Sequence, residues 1–225
     1  DPIEQFHSMG VIRGVTTNPT IMLRDGITSA REMEDRAKEI ARLVDPLSVS
    51  VEVTTNNQSE MLDQARMLSS WAKNIVVKVT IHGPEGELHN LEVIHELETR
   101  DDVRVNVTAL MSAQQGLLAA LAGATYVSIF GGRVADMGHN ASDEIARLRN
   151  LLDEHDLPAR IIVGSTRETA NVLEWLEAGA HIVTVQPEFL GKLLVHPYSK
   201  ETVRQFLSDA EAVHASQAAA LTAGS

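Results

Sequence analysis

Short apolar segments alternate with amphipathic helical segments along most of this 225-residue chain, and this alternation limits the possible folds. The apolar segments are rich in Val and Ile, as parallel strands are when both of their faces are covered. The predicted strands are Gly14–Thr17, Leu47–Val53, Ile75–Val79, Val103–Thr108, Tyr126–Ile129, Arg160–Gly164 and His181–Val185. The predicted helices are Ile27–Val44, Gln58–Trp71, Leu88–Glu98, Ser112–Ala122, Ser142–His155, Arg167–Ala178 and Pro187–Leu194. Strands that alternate with helices predict a parallel α/β sheet, here as a single domain over residues 1–225.

The predicted strand number is one short of the eight that close a β/α barrel. The first residues, Asp1-Pro2-Ile3-Glu4, indicate the start of a helix, with Asp1 as its N-cap. Because an unclosed barrel leaves two strand edges unpaired, we expect a first strand before residue 1 and a (β/α)8 TIM barrel. An open seven-stranded sheet is the alternative. From Ser199 onward the pattern predicts a C-terminal helix, which either caps the barrel or docks on a neighbouring subunit.

Composition narrows the class of protein. The formal net charge of -12 at pH 7 disfavours binding to nucleic acid or to an anionic membrane surface. No apolar run is long enough to predict a transmembrane helix, and no signal peptide is visible. The chain has no cysteine, which excludes disulfides and fits a reducing, cytoplasmic location. Its histidines are not spaced as a ligand set, so no metal and no cofactor are predicted.

Two charged residues interrupt apolar predicted strands. Lys78 lies among valines in Ile75–Val79, and Glu52 lies near the end of the preceding strand. If Lys78 points into the barrel, burial favours its neutral amine, which can attack a carbonyl carbon. Glu52 could then transfer protons. The alternatives are a lysine whose head reaches water and a carboxylate in a structural ion pair, which could be with Lys78 itself.

Small polar side chains occupy the ends of two predicted strands. Thr17 ends the first strand and Asn18 follows it, and Asn106 and Thr108 share one face of the fourth. Because the carboxyl ends of barrel strands face the substrate, these side chains can present hydroxyl and amide groups to a polyol. The alternatives are an ordinary turn at Asn18-Pro19 and polar groups satisfied within the barrel core.

Two later strands run into loops that contain glycine or serine and then arginine. These loops are Ser128-Ile129-Phe130-Gly131-Gly132-Arg133 and Gly164-Ser165-Thr166-Arg167. Ser165 precedes a predicted helix and Arg167 begins it, so the two could hold a phosphate at its N-terminus, as late barrel loops often do. Taken singly, arginines placed like Arg133 and Arg167 are more often surface residues.

These segments together resemble the transaldolase family in its short form, over nearly the whole chain. Gly14-Val15-Thr16-Thr17-Asn18-Pro19-Thr20 resembles the family signature, and Ile75–Val79 resembles the strand that carries its Schiff-base lysine. Further matching segments follow in the family's order: Asn106–Thr108, Ala119–Ser128, Gly132-Arg133 and Gly138-His139.

The resemblance implies a class I aldolase mechanism with phosphorylated sugars as substrates. Lys78 would form an imine with the C2 carbonyl of a ketose phosphate, and Glu52 and Thr108 would hold a water that shuttles protons. The substrate-binding residues would be Thr17, Asn18, Asn106, Ser128, Phe130, Arg133, Ser165 and Arg167. The resemblance also implies a homo-oligomer, a pentameric ring or a decamer of two such rings.

The resemblance favours transfer over simple cleavage. Fructose-6-phosphate aldolases of this family resemble the chain but carry Gln where Glu52 stands and Tyr where Phe130 stands. We therefore expect transfer of a dihydroxyacetone unit from sedoheptulose 7-phosphate or fructose 6-phosphate to an aldose phosphate. The alternatives are a fructose-6-phosphate aldolase, a specialised transaldolase for an unusual biosynthetic sugar, and a sugar-phosphate-binding barrel without catalysis.

Three departures from the family pattern accompany this prediction. The family has an acid/base aspartate at the end of its first strand, which we expect before residue 1. Thr80 stands where the family usually has Pro. The segments Ile81–Leu88 and Arg100–Val103 look longer than their equivalents, which would reshape the mouth of the barrel around an unusual acceptor.

Overall fold

The computed structural model describes the backbone of residues 1–223 and the side chains of residues 1–219. The chain divides into two units, Asp1–Val185 and the segment from Gln186 onward. The strands of the first unit are β1 Gly14–Thr16, β2 Ser48–Glu52, β3 Ile75–Thr80, β4 Val105–Leu110, β5 Tyr126–Ile129, β6 Arg160–Val163 and β7 Ile182–Val183. Its helices are α1 Pro2–Ser8, α2 Pro19–Arg24, α3 Ala30–Val44, α4 Gln58–Ser69, α5 His89–Thr99, α6 Ala113–Leu121, α7 Gly131–Asp136, α8 Ala141–Glu154 and α9 Ala170–Glu177.

The seven strands form one parallel sheet whose spatial order follows the chain from β1 to β7. The sheet is curled. This is evident from Asn106 Nδ2 on β4, which donates to Ser50 Oγ on β2 at 3.2 Å, across β3. In a flat sheet, strands two apart are separated by about 10 Å, too far for these two side chains to meet. The prediction of a TIM-barrel-like α/β fold is therefore confirmed, as seven strands of a curled half-barrel. The strand expected before residue 1 remains a prediction.

Strand residues alternate between an apolar outer face and a polar inner face. The outer side chains pack with the helices in the main core and are almost fully buried: Val49, Val51, Val77, Val79, Val105, Val107, Val127, Ile129, Ile161 and Val163. The inner face carries buried polar residues instead: Ser50, Lys78, Asn106, Thr108 and Ser128. Period-two alternation thus separates the packing side of the sheet from the side that can do chemistry.

Helix capping explains the main differences from the predicted helices. The helix predicted from Ile27 begins at Ala30, because Ser29 and Glu32 form a capping box in which each side chain accepts the other's backbone N–H. Two short helices, α2 and α7, were not predicted. Asn18 caps α2 by accepting the N–H of Ile21 at 2.8 Å.

A β-bulge extends β4 beyond the predicted end at Thr108. The register with β5 shifts between Val107 and Leu110, and Ala109 has a φ of 62°. The extra residue reverses the alternation, so Leu110 joins the outer core while Thr108 stays on the inner face. Without the bulge, strict alternation would turn Leu110 toward the inner face.

The second unit consists of α10 Pro187–Leu194 and α11 Pro197–Ala223. The predicted C-terminal helix therefore begins two residues earlier than Ser199, and Gly224 and Ser225 lie outside the described residues. None of the helices built by the described residues is long and apolar enough to cross a bilayer. The single-domain organisation and the docking of this helix remain predictions.

Candidate active site

Lys78 lies at the centre of the inner face, with only 5% of its surface exposed. Its neighbours Val77 and Val79 pack outward, so alternation along β3 turns the lysine inward. Its Nζ donates to Glu52 Oε2 at 2.7 Å and to the carbonyl oxygen of Thr17 at 3.0 Å. The interpretation of Lys78 as a lysine with its head in water is therefore wrong.

Glu52 is both the ion-pair partner of Lys78 and its neighbour in the sheet. Glu52, Lys78 and Asn106 are consecutive Cα partners across β2, β3 and β4, so they form one row of inward side chains. The Glu52 side chain is 17% exposed against 7% for Lys78. The direct hydrogen bond places this carboxylate in the position that a proton acceptor for Lys78 would occupy.

A hydrogen-bonded network fixes the amide of Asn106. Ser128 Oγ donates to Asn106 Oδ1 at 2.6 Å, and Asn106 Nδ2 donates to Ser50 Oγ. Asn106 is fully buried, so these bonds replace the water that its amide loses on folding. Sequence reasoning found Asn106 and Ser128 but missed Ser50.

The hydroxyl of Thr108 is buried, and no described residue bonds to it. Asn90 Oδ1 is the second such atom among the described side chains; the Nδ2 of the same amide donates to the carbonyl oxygen and Oγ1 of Thr80. An unpaired buried polar group costs roughly 1–3 kcal/mol. The Thr108 hydroxyl can therefore gain free energy by bonding to a substrate oxygen or to water.

The two residues after β1 contribute in different ways. Thr17 is buried, and both its N–H and its Oγ1 donate to the carbonyl oxygen of Ser50, at 2.9 and 2.8 Å. The carbonyl oxygen of Thr17 therefore contacts the candidate catalytic amine of Lys78, whereas its hydroxyl is used within the backbone network. The Oδ1 of Asn18 caps α2, which leaves the NH2 group of its amide for a substrate oxygen.

Helix α7, which follows β5, meets the loop after β6 at Gly132. A Cβ at this position would lie 1.8 Å from the carbonyl oxygen of Ser165, so only glycine permits the approach. The guanidinium of Arg133 lies 5.2 Å from the centre of the Phe130 ring, in a cation–π contact. Arg167 forms an exposed ion pair with Asp136 at 2.6 Å. The Gly-Gly-Arg segment was the sequence signal for this contact.

The loop after β3 is held to the loop after β2. Asn56 Nδ2 donates to Glu87 Oε1 at 3.1 Å, and His89 Nε2 lies 3.0 Å from the carbonyl oxygen of Asn56. The backbone N–H groups of Glu87 itself and of Glu85 hold the pKa of the Glu87 carboxyl below its usual range. The segment predicted to be long, residues 81–88, is therefore an ordered part of this end of the sheet.

Across the side chains of residues 1–219, no three His, Asp or Glu are grouped so that they could hold a metal ion. The polar groups of the inner face are one amine, one carboxylate, amides and hydroxyls. This set suits carbonyl chemistry through the amine.

Comparison with solved structures supports the fold alone. A crystal structure of mandelate oxidase with (S)-2-phenylpropionate matches with a TM-score of 0.56 at 14% identity, over 83% of this chain and 58% of that one. At such low identity, the likeness does not extend to function.

Comparison with known sequences supports the family. "Probable transaldolase 2" of Listeria monocytogenes is 40% identical over 210 residues, 93% of this chain and 91% of that protein. "Probable transaldolase" of Lactiplantibacillus plantarum is 40% identical over 217 residues, 96% of this chain and 95% of that protein. The family model described as transaldolase/fructose-6-phosphate aldolase matches residues 1–223. The chain belongs to the transaldolase/fructose-6-phosphate aldolase family.

Proposed function

We propose that this protein is a transaldolase that works through an imine on Lys78. The observation that carries the proposal is the buried Lys78 ammonium, held by Glu52 and by the Thr17 carbonyl within a polar inner face. A barrel that only binds sugar phosphates needs no buried amine next to a proton acceptor. Imine formation uses the amine as its nucleophile and an adjacent base to activate it.

Imine formation begins with a proton transfer. The Lys78 ammonium gives one proton to the Glu52 carboxylate, 2.7 Å away, and the neutral amine attacks C2 of the ketose. The resulting carbinolamine loses its hydroxyl as water when Glu52 returns the proton. The Thr108 hydroxyl, which has no partner among the described residues, holds the water through which Glu52 returns the proton to the carbinolamine.

Cleavage and transfer use the iminium as an electron sink. A base removes the proton of the C4 hydroxyl, the C3–C4 bond breaks, and its electron pair forms an enamine on Lys78 as the aldose phosphate leaves. The resemblance assigns this base to an aspartate before residue 1. The enamine then attacks an acceptor aldehyde, whose oxygen gains the proton, and water releases the new ketose.

We place the substrate phosphate near Arg133, Ser165 and Arg167. On a chain with a formal net charge of -12, an anionic substrate needs local positive charge, and the two arginines, one after β5 and one after β6, can supply it. The sugar hydroxyls are placed on Asn18, Asn106 and Ser128. Location in the cytoplasm and assembly into a homo-oligomer belong to the same proposal and rest on the resemblance.

Transfer is favoured over simple aldol cleavage because of Glu52 and Phe130, the residues that resemble the transaldolase pattern. Product analysis distinguishes the two activities. Incubation with fructose 6-phosphate alone would release free dihydroxyacetone from an aldolase, whereas a transaldolase needs an acceptor aldose for turnover.

The direct test is borohydride trapping with fructose 6-phosphate, followed by peptide mass spectrometry. We expect a reduced three-carbon adduct on Lys78 and none on the exposed Lys73, which serves as an internal control. Lys78→Arg keeps the positive charge but should form no adduct, and its kcat should be at least ~10³-fold lower than that of the parent. A protein that starts before residue 1 and forms no adduct would refute the proposal.

A further inference from the structure

Ser50 lies where two groups of hydrogen bonds meet on the inner face. It is buried on β2, two residues before Glu52 on the same face. Its carbonyl oxygen accepts both the N–H and the Oγ1 of Thr17, and its Oγ accepts Nδ2 of Asn106. The backbone of Ser50 therefore supports one side of the site, and its hydroxyl supports the other.

The first group leads to the amine. Thr17 is fixed by two bonds to the carbonyl of Ser50, and the Thr17 carbonyl accepts Lys78 Nζ at 3.0 Å. This path uses only the backbone of Ser50, so a change in its side chain leaves the path in place. Any effect of such a change must therefore come through the second group.

The second group leads to the amide of Asn106. This amide is bonded at one end by Ser50 Oγ and at the other by Ser128 Oγ, so the rotation of its plane about the Cβ–Cγ bond is fixed. One N–H and one oxygen lone pair of the amide remain after these two bonds. Because Asn106 is the row neighbour of Lys78, the fixed plane decides where those two groups point relative to Nζ.

We propose that Ser50 is a positioning residue, whose hydroxyl orients the Asn106 amide toward the sugar unit bound at Lys78. This inference rests on the proposed function, because it needs a substrate at Lys78. Without the Ser50 hydroxyl, the buried Nδ2 of Asn106 loses an acceptor and the amide can rotate toward another. The three-carbon donor unit is then held less well, whereas the amine and its proton acceptor are unchanged.

Ser50→Ala, with Ser48→Ala as the matched control, tests this inference. Ser48 lies on the same strand and the same face, and its side chain is not part of the Asn106 network. For Ser50→Ala we expect kcat/KM for the donor ketose to fall about tenfold, as for the loss of one buried hydrogen bond. We expect the KM for the acceptor to equal that of the parent protein, and borohydride to trap the adduct on Lys78 as before. Ser50→Thr, which keeps the hydroxyl, should restore donor kcat/KM.

A double-mutant cycle separates positioning from a general structural effect. In an Asn106→Ala background, Ser50→Ala should cost nothing further, because the group that it orients is already gone. Additive losses, or a parent-like Ser50→Ala, would overturn the inference while leaving the proposed function intact. If Ser50→Ala fails to fold, Ser50→Cys, with a weaker hydrogen-bonding group of similar shape, takes its place in the cycle. A parent protein without adduct and without turnover would overturn both proposals.

Discussion

Glu98 provides a stability test at the end of the sheet opposite the candidate site. It lies near the C-terminus of α5, and its Oε1 accepts the N–H groups of Val105 and Thr125, each at 2.6 Å. Its Oε2 accepts the hydroxyl of Thr125 at 3.2 Å. One carboxylate thus satisfies the backbone where β4 and β5 begin. The change to be tested is Glu98→Ala, with Glu98→Gln as its control.

The expected magnitude follows from the two backbone N–H groups. Glu98→Ala leaves both without an acceptor, and each unpaired buried donor costs roughly 1–3 kcal/mol. We expect the free energy of unfolding to fall by about 2–6 kcal/mol, which lowers Tm by about 5–20 °C in a chain of this length. Glu98→Gln keeps the accepting Oε1 and should stay within ~1 kcal/mol of the parent, because its NH2 group can donate to the rotated hydroxyl of Thr125.

The pH dependence gives a second, independent signature. Burial raises the pKa of Glu98 above its ordinary value, against the lowering effect of its bonds to Val105 and Thr125. Because the folded state then binds the proton more tightly, this contribution to stability is present below the unfolded pKa and is lost as pH rises through the folded pKa. Glu98→Gln should lose that contribution, so its Tm relative to the parent should rise as pH increases from about 4 to 7.

Thermal unfolding followed by circular dichroism, together with turnover at 25 °C, is the assay. Turnover of both variants should match the parent, since strand starts lie away from the catalytic face of a barrel. Equal Tm values for Glu98→Ala and Glu98→Gln would refute the argument, because only the alanine removes the acceptor.

Four further changes test the site and its frame. Glu52→Gln should keep a hydrogen bond to Lys78 but accept no proton, so we expect kcat for transfer to fall about 10²-fold in steady-state assays. Ala109→Gly should keep Tm or raise it by a few degrees because it relieves a φ of 62°, whereas Ala109→Val should lower Tm; the reverse order in calorimetry would contradict this. Gly132→Ala should raise KM for a phosphorylated ketose more than for its unphosphorylated analogue, since the new Cβ displaces the β6 loop. Burial is the main cause that lowers the pKa of His181, and nearby arginines lower it further. The contribution of this histidine to stability is therefore present above about pH 6.5 and is lost as pH falls. Between about pH 7.5 and 5.5, the Tm of His181→Gln should decrease less than the Tm of the parent.

The alternating pattern predicted most of the sheet, because strands covered on both faces must be apolar wherever they pack. A polar residue in such a strand is conspicuous, which is why Lys78 and Asn106 could be singled out from the sequence. Their burial and their contacts bear out the inward orientation, while their chemical roles remain proposals.

Other features left no local signal in the sequence. Ser50 alternates with valines as an ordinary strand serine does, and its partners Thr17 and Asn106 are 33 and 56 residues away along the chain. The bulge was missed because alanine gives no indication of a positive φ. Asn18 was interpreted as a substrate-binding residue or a turn residue, although an asparagine before proline is also a good helix cap.

The separation of an apolar outer face from a polar inner face has a consequence for how this chain tolerates change. In β2, β3, β5 and β6 the odd-numbered positions supply the packing and the even-numbered positions face inward. A saturation screen should therefore show sensitivity with a period of two: folded yield limited by odd positions, turnover by even ones. Within β4 the two series exchange parity after Ala109, where the bulge inserts its extra residue. Inner-face residues can thus be substituted to accept another sugar while the apolar outer-face residues that maintain the fold are kept.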